Sequence, residues 1–175
     1  LKTALERRAS WIASSTHAGE EEIVIAAHKA LLARHPDICL ILIPRHPDRA
    51  DDIAQMLAEA GLRVARRSKG QTPGPEDHVF LADTLGEMGT WYAACPIVFL
   101  GGSLFDMGGH NPLEPADAGA AILSGPYTRN FAESFAPLIS LGAAQTTSDA
   151  QDISRAVDRF LQNTDALTSA CQASK

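Results

Sequence analysis

The sequence predicts an α/β domain: a mostly parallel β-sheet with helices on both faces. Short apolar runs alternate with amphipathic stretches of helical spacing, the pattern of successive βαβ units. One run, Ile38-Cys39-Leu40-Ile41-Leu42-Ile43, is apolar throughout, as a strand buried on both faces must be. The length, 175 residues, suits one domain with a sizeable core.

The elements follow in order. Residues 10–15 read as a first strand, followed by a helix over 19–34. That helix carries Ile23, Ala27, Ala30 and Leu31 at helical spacing, and Glu20, Glu21 and Glu22 crowd its first turn, where the helix dipole favours anions. After the apolar strand 38–43, Pro47 opens a helix bearing Ile53, Met56, Leu57 and Ala60, and Gly61 ends it. Residues 62–66 are a weaker, edge-like strand, and glycine and proline make 68–77 a loop. Strand 78–82, helix 85–94 and strand 97–100 come next, then a glycine-rich loop and helix 112–118. Strand 120–123, a helix near 131–139, strand 144–147 and helix 149–162 complete the series, with Ser148 and Gln151 spaced as a capping box. The tail beyond Asn163 is polar and is expected to fray.

Composition narrows the function. A hydrophobic share of 45% and a charged share of 21% are ordinary for a soluble globular protein. The net charge of −6 leaves no global basic field for nucleic acid, so any phosphate site must be local. Cys39, Cys95 and Cys171 lack metal-type spacing and read as thiols in a reducing cytoplasm. No apolar run approaches the roughly 18 residues of a membrane span. No histidine pair has zinc-site spacing with a third ligand, so neither a metal nor a cofactor is expected. The opening Leu1-Lys2-Thr3 is neither a signal peptide nor an initiator methionine, which fits a piece of a longer protein. The dinucleotide glycine fingerprint, the P-loop and the G-x-S-x-G elbow are all missing.

A parallel sheet binds ligands beyond the carboxyl ends of its strands, and the unusual residues sit there. Ser14-Ser15-Thr16-His17-Ala18-Gly19 offers hydroxyls and amides to an anion, or simply caps a helix. In Pro44-Arg45-His46-Pro47 a rigidly framed arginine is suited to gripping phosphate, unless it is a solvated surface residue. Thr84 and Glu87, in Asp83-Thr84-Leu85-Gly86-Glu87-Met88, have capping-box spacing. Gly101-Gly102-Ser103 and Gly108-Gly109-His110-Asn111-Pro112-Leu113-Glu114-Pro115 let a backbone approach a ligand closely. Asn111 and Glu114 there are also spaced to cap a helix. His28, His35 and His78 read as solvated or packed.

Taken together and in this order, these motifs resemble the C-terminal half of the 3-deoxy-D-manno-octulosonic acid (Kdo) transferases, over about residues 10–163. Gly125-Pro126 and Asn130-Phe131 also match that pattern. The resemblance implies a Rossmann-like sheet forming the C-terminal half of a GT-B glycosyltransferase. The family's C-terminal domain binds CMP-Kdo. Its N-terminal domain binds a lipid A precursor and supplies an acidic catalytic base, and this chain lacks that domain. Transfer belongs to lipopolysaccharide biosynthesis at the cytoplasmic face of the bacterial inner membrane, without a metal, and a C-terminal half by itself is expected to be inactive.

On this chain the resemblance implies a donor site made of Thr16, His17, Arg45, His46, Thr84, Glu87, Met88, Gly101, Gly102, Ser103, His110, Asn111 and Glu114. Arg45 would neutralise the phosphate, helped by Ser103 and the amides of Gly101 and Gly102. Glu114 would accept from the ribose hydroxyls, the 83–88 turn would border base or ribose, and Thr16 and His17 would meet the Kdo carboxylate or phosphate. A GT-B-like UDP-sugar epimerase is the nearest enzymatic alternative. A nucleotide-sensing or partner-docking module without chemistry is the non-enzymatic one.

Overall fold

Seven strands form one all-parallel sheet in the computed structural model, which describes residues 2–175. The chain runs α1 (Lys2–Glu6), β1 (Ser10–Thr16), α2 (Glu20–Arg34), β2 (Cys39–Pro44), α3 (Ala50–Glu59), β3 (Val64–Arg66) and β4 (Val79–Leu81). It continues as α4 (Met88–Ala94), β5 (Ile97–Leu100), α5 (Leu113–Asp117), β6 (Ala121–Ser124), α6 (Ala132–Ser140), β7 (Ala144–Thr146), α7 (Ala150–Gln162) and α8 (Thr164–Ser174). The strand order is β3-β4-β2-β1-β5-β6-β7. The early strands therefore build outward from one side of β1 and the later ones from the other. The crevice between the ends of β1 and β5 is the topological switch point, where such sheets take ligands.

Alternate residues of each strand feed two cores, as the period of two requires. Trp11, Ala13, Leu40, Leu42, Val79, Leu81 and Phe99 pack with α2, α3 and α7. Ile12, Ile41, Ile43, Phe80 and Val98 pack on the other face with Leu5, Trp91 and Tyr92. A smaller cluster joins Leu100 and Ile122 to Phe135 and Leu138 of α6. The weak strand β3 lies at an edge, as its composition predicts. Cys39, Cys95 and Cys171 are all free thiols, and burial pushes Cys39 up to about 11.

Three local expectations need correction. The tail folds as α8, capped by Asn163, whose Oδ1 accepts from the Ala166 amide at 3.0 Å. It docks through small side chains such as Ala170, too weakly apolar to signal a buried face in the sequence. Asp149, rather than Ser148, caps α7: it accepts from the Asp152 amide at 2.8 Å while Asp152 accepts from the Ser148 amide at 2.9 Å. The box is present, shifted by one residue. Finally, α4 begins at Met88, three residues later than expected, because Gly86 takes a left-handed φ of 80° that breaks the helix.

His28 is packed and fully satisfied. The Trp11 Nε1–H donates to its Nδ1 at 3.1 Å, and its Nε2–H donates to the His78 carbonyl at 2.9 Å. Burial lowers it from 6.5 to about 4. The unfolded chain therefore binds a proton that the native state refuses, and stability is lost as pH falls through 6.5 towards 4. Chemical denaturation followed from pH 7 to pH 4 is expected to show a loss approaching ~3 kcal/mol from this residue. His28→Gln should flatten the slope in that window, and an unchanged slope would refute the assignment.

Candidate functional site

The carboxyl ends of β1, β2, β4 and β5 carry most of the residues singled out in the sequence, and one buried carboxylate organises two of them. Glu20, the first residue of α2, is 0% exposed. Its Oε2 accepts from the amides of His17 (2.9 Å) and Gly102 (2.8 Å), and its Oε1 from those of Ser103 and Leu104, both at 3.0 Å. Four backbone donors satisfy a charge that burial alone would make costly. The carboxylate thus ties the turn after β1 to the loop after β5 across the switch point.

Internal partners engage the groups of Gly102, Ser103 and Thr16 that were expected to meet the donor, and Gly101 is packed closely against backbone. The amides of Gly102 and Ser103 face Glu20 and are spent there. The Ser103 hydroxyl donates to the Leu100 carbonyl at 2.7 Å and accepts from the Gly125 amide at 2.8 Å, so it has no hydrogen left for a phosphate. Gly101 has no side chain because a Cβ there would lie 2.6 Å from the Ser15 carbonyl oxygen; its close approach is to backbone. Thr16 is fully buried, and its hydroxyl donates to Glu21 at 3.0 Å. Glu21, equally buried, also accepts from Arg49 at 2.9 and 3.2 Å. These residues build the site's frame.

Beside the frame, a cavity of about 170 Å³ is lined by Ser15, Pro44, Arg45, Pro47, the 84–88 turn and Trp91. The turn is held from behind. Asp83 accepts from the Ser68 hydroxyl (2.6 Å) and amide (2.8 Å) and from Arg66 at 2.9 Å. Burial pushes the Asp83 carboxyl up, but the bonds from Ser68 and Arg66 outweigh it and leave the group below its ordinary value. Glu87 is gripped by Arg67 at 2.8 Å and accepts from the Thr84 hydroxyl; Arg67 first and Thr84 second hold it below the ordinary carboxylate range. Thr84 and Glu87 therefore shape the turn with side chains already paired, whereas Met88 and the 78%-exposed Leu85 line the cavity unpaired. Trp91 packs edge-on against Phe80, and its Nε1–H is buried without a partner among the described residues.

Arg45 is the cation left over. Arg49, Arg66 and Arg67 each grip a carboxylate, whereas among the described residues no side chain pairs with the exposed Arg45. Its amide donates to the Thr16 carbonyl at 3.0 Å, which fixes the backbone between the two prolines. Next to it stands a histidine cluster. His17 and His110 bring their Nε2 atoms to 2.8 Å with rings 7° from coplanar, and His46 meets His17 edge-on at 5.5 Å between centroids. Burial is the largest cause holding His17 and His110 below the ordinary histidine value, and Arg45 adds to it.

Asn111 Oδ1 accepts from the Leu113 amide at 3.0 Å, but α5 begins at Leu113 with Pro112 at its N-cap, one residue later than expected. The exposed Glu114 makes no reciprocal bond among the described residues, which leaves its carboxylate open to a ligand. It lies near the Tyr92–Ser14 hydroxyl pair (3.0 Å), where burial first and Glu114 in support push the Tyr92 phenol up to about 12.

Sequence reasoning missed Glu20, Ser15 and Trp91 as site residues. Glu20 reads as one of three dipole-matched glutamates, and nothing local separates it from the exposed Glu22. Ser15 takes φ 54°, the only non-glycine positive φ among the described residues, at a register shift in the β1–β2 pairing. Such a conformation costs ~1–3 kcal/mol and marks functional turns. No group of three His, Cys, Asp or Glu side chains among the described residues is placed to hold a metal ion.

No protein-family model matches the chain. It is 41% identical over 157 residues to the 3-deoxy-D-manno-octulosonic acid transferase of Haemophilus influenzae, covering 89% of this chain and 37% of that protein. It is 44% identical over 142 residues to the transferase of the same name from Bordetella pertussis, covering 79% and 33%. The chain thus spans only about a third of the length of these curated relatives. The crystal structure of the C-terminal CMP-Kdo binding domain of WaaA from Acinetobacter baumannii matches with a TM-score of 0.92 at 33% identity, covering 97% of this chain and 89% of that one.

The Glu20 bridge is testable by substitution. Glu20→Gln turns an NH₂ group towards amides that need an acceptor and removes the charge, at a cost of about 2–3 kcal/mol. For a domain of this size that lowers Tm by roughly 5–10 °C, while Glu22→Gln, two residues on and exposed, should stay within about 0.5 kcal/mol of the parent. Equal Tm values for the two variants would remove Glu20 from the centre of the site.

Proposed function

The chain belongs to the 3-deoxy-D-manno-octulosonic acid transferase family, and on that premise we propose that it is the half that holds the CMP-Kdo donor. The observation that carries this reading is Arg45: a cation on a rigid turn, unpaired among the described residues, at the mouth of a cavity where its neighbouring arginines are all engaged. A guanidinium so placed binds a phosphate bidentately with little loss of side-chain freedom. When the glycosidic bond breaks, the electron pair leaves on the phosphate oxygen of CMP, and a cation already aimed there lowers the barrier.

The remaining contacts follow from what each group has free. The cavity between the 44–47 and 84–88 turns takes the nucleoside, bordered by Met88, Leu85 and Trp91. Glu114, with its cap role unfilled, accepts from the ribose hydroxyls. His17, His46 and His110 line the sugar and phosphate side of the cleft. Gly101, Gly102, Ser103, Thr16, Thr84 and Glu87 act on the donor through the positions they enforce.

In this reading the acceptor, a lipid A precursor, and the acidic base that activates it belong to an N-terminal domain outside this chain. The half described here then binds the donor without turning it over. The full protein would work at the cytoplasmic face of the bacterial inner membrane in lipopolysaccharide biosynthesis. Among the described residues, no helix is long and apolar enough to cross a membrane.

Calorimetric titration with CMP and UMP tests the reading. CMP is expected to bind in preference to UMP, and Arg45→Ala to weaken it about 10- to 100-fold, as for loss of a charge-assisted hydrogen bond. Glu114→Gln should narrow the preference for CMP over its 2′-deoxy form. UMP preference would turn the assignment towards a uridine-dependent enzyme such as the epimerase, and CMP affinity unchanged in Arg45→Ala would remove the phosphate role.

A further inference from the structure

We propose that His17 and His110 act as a single proton-sharing pair, which takes up one proton when a phosphomonoester dianion occupies the cleft. The inference rests on the donor-site reading above for the identity of the anion. The pair itself rests on geometry.

Two Nε2 atoms at 2.8 Å in nearly coplanar rings require one hydrogen between them. One ring donates through Nε2–H, and the other accepts and carries its own hydrogen on Nδ1. A further proton fits on the donor ring's Nδ1. That gives an imidazolium bonded to a neutral imidazole, with the shared bond strengthened by charge. A second extra proton would set two Nε2–H groups face to face and break the bond. The capacity of the pair is therefore one.

The fold holds the rings in place. His17 comes from the turn after β1 and His110 from the loop after β5, the two segments that Glu20 ties together. Below them, a Cβ on Gly102 would meet the His110 ring at 2.6 Å, so the backbone sets how closely that ring can seat. Four charged or titratable groups face the pair. Glu20 and Glu21 favour the extra proton, whereas Arg45 and His46 oppose it. Both carboxylates are already engaged, Glu20 by four amides and Glu21 by Arg49 and Thr16. Burial first, with Arg45 and His46 in support, holds both rings below the ordinary histidine value.

A dianion on Arg45 reverses the balance: it cancels the arginine's repulsion and adds attraction of its own. The bound-state pKa of the pair then lies above its free-state value. The sign follows directly. Between those two values binding takes up a proton, and affinity rises as pH falls. During transfer the leaving nucleotide gains a second negative charge as its glycosidic bond breaks, so the same pair meets the growing charge.

The test is calorimetry of CMP binding at pH 7 in buffers of different ionisation enthalpy, above the phosphate's own second pKa of about 6. The parent is expected to take up close to one proton, and either His17→Gln or His110→Gln to lose most of that uptake. Affinity should fall from pH 6.5 to 8.5 in the parent more steeply than in the variants. CMP binding with no buffer-dependent heat, or uptake unchanged in both variants, would overturn the pair and leave the donor reading standing. Failure of CMP to bind would overturn both. In the ligand-free protein, ¹⁵N spectra of the rings should show one protonated and one bare Nε2. Two rings titrating independently near 6.5 would also overturn the pair.

Discussion

A carboxylate with no access to water holds the two halves of the sheet's ligand edge together. Glu20 stands at the switch point, where the chain departs in opposite directions on either side of β1. Loops there diverge by topology. Four charge-assisted bonds to backbone supply what hydrophobic packing cannot, with a directionality that packing lacks. Gly101, Gly102 and the strained Ser15 are consequences of the same closure: the backbone must come near enough for its amides to reach one buried side chain.

That constraint decides which groups remain for a ligand. In many α/β proteins the amides after the first strand hold a phosphate. Here an internal anion has taken the His17 amide after β1 and the Gly102, Ser103 and Leu104 amides after β5. In the donor-site reading proposed above, an external anion is then met by side chains. Around the cleft, the arginines sort by partner: Arg49 is neutralised by Glu21, Arg66 by Asp83 and Asp51, and Arg67 by Glu87. Arg45, between its prolines, stays exposed. A chain of net charge −6 can thus present a local positive site, because its internal carboxylates are already matched.

The same economy explains the turn at 83–88. Asp83 and Glu87 anchor it through Arg66, at the end of β3, and through Arg67 and Ser68 just after it. The edge of the sheet thereby braces one wall of the cavity, and Trp91 forms part of its lining from the core beneath. Rigid walls cost stability in buried charge and restore it as preorganisation, since fewer groups must be ordered when a ligand arrives.

The α/β class, the positions of all seven strands and the clustering of motifs at strand ends were legible in the sequence, because apolar periodicity and turn residues are local signals. Arg45 and Glu114 were legible as candidates for the same reason: a proline frame and a helix-start position are features of a few neighbouring residues. The helix α8 was not, since its one fully buried residue is Ala170 and only Leu167 and Cys171 join alanines in packing beside it, a weak apolar signal. Nor could neighbouring residues tell that Glu20 turns inward while Glu22 meets solvent, that Ser103 has no hydrogen to spare, or that His17 and His110, 93 residues apart, share one. Those facts depend on which loops the sheet order brings together. A side chain's partners at long range are set by the tertiary structure, and a hydrogen bond already made inside the protein is unavailable to a ligand.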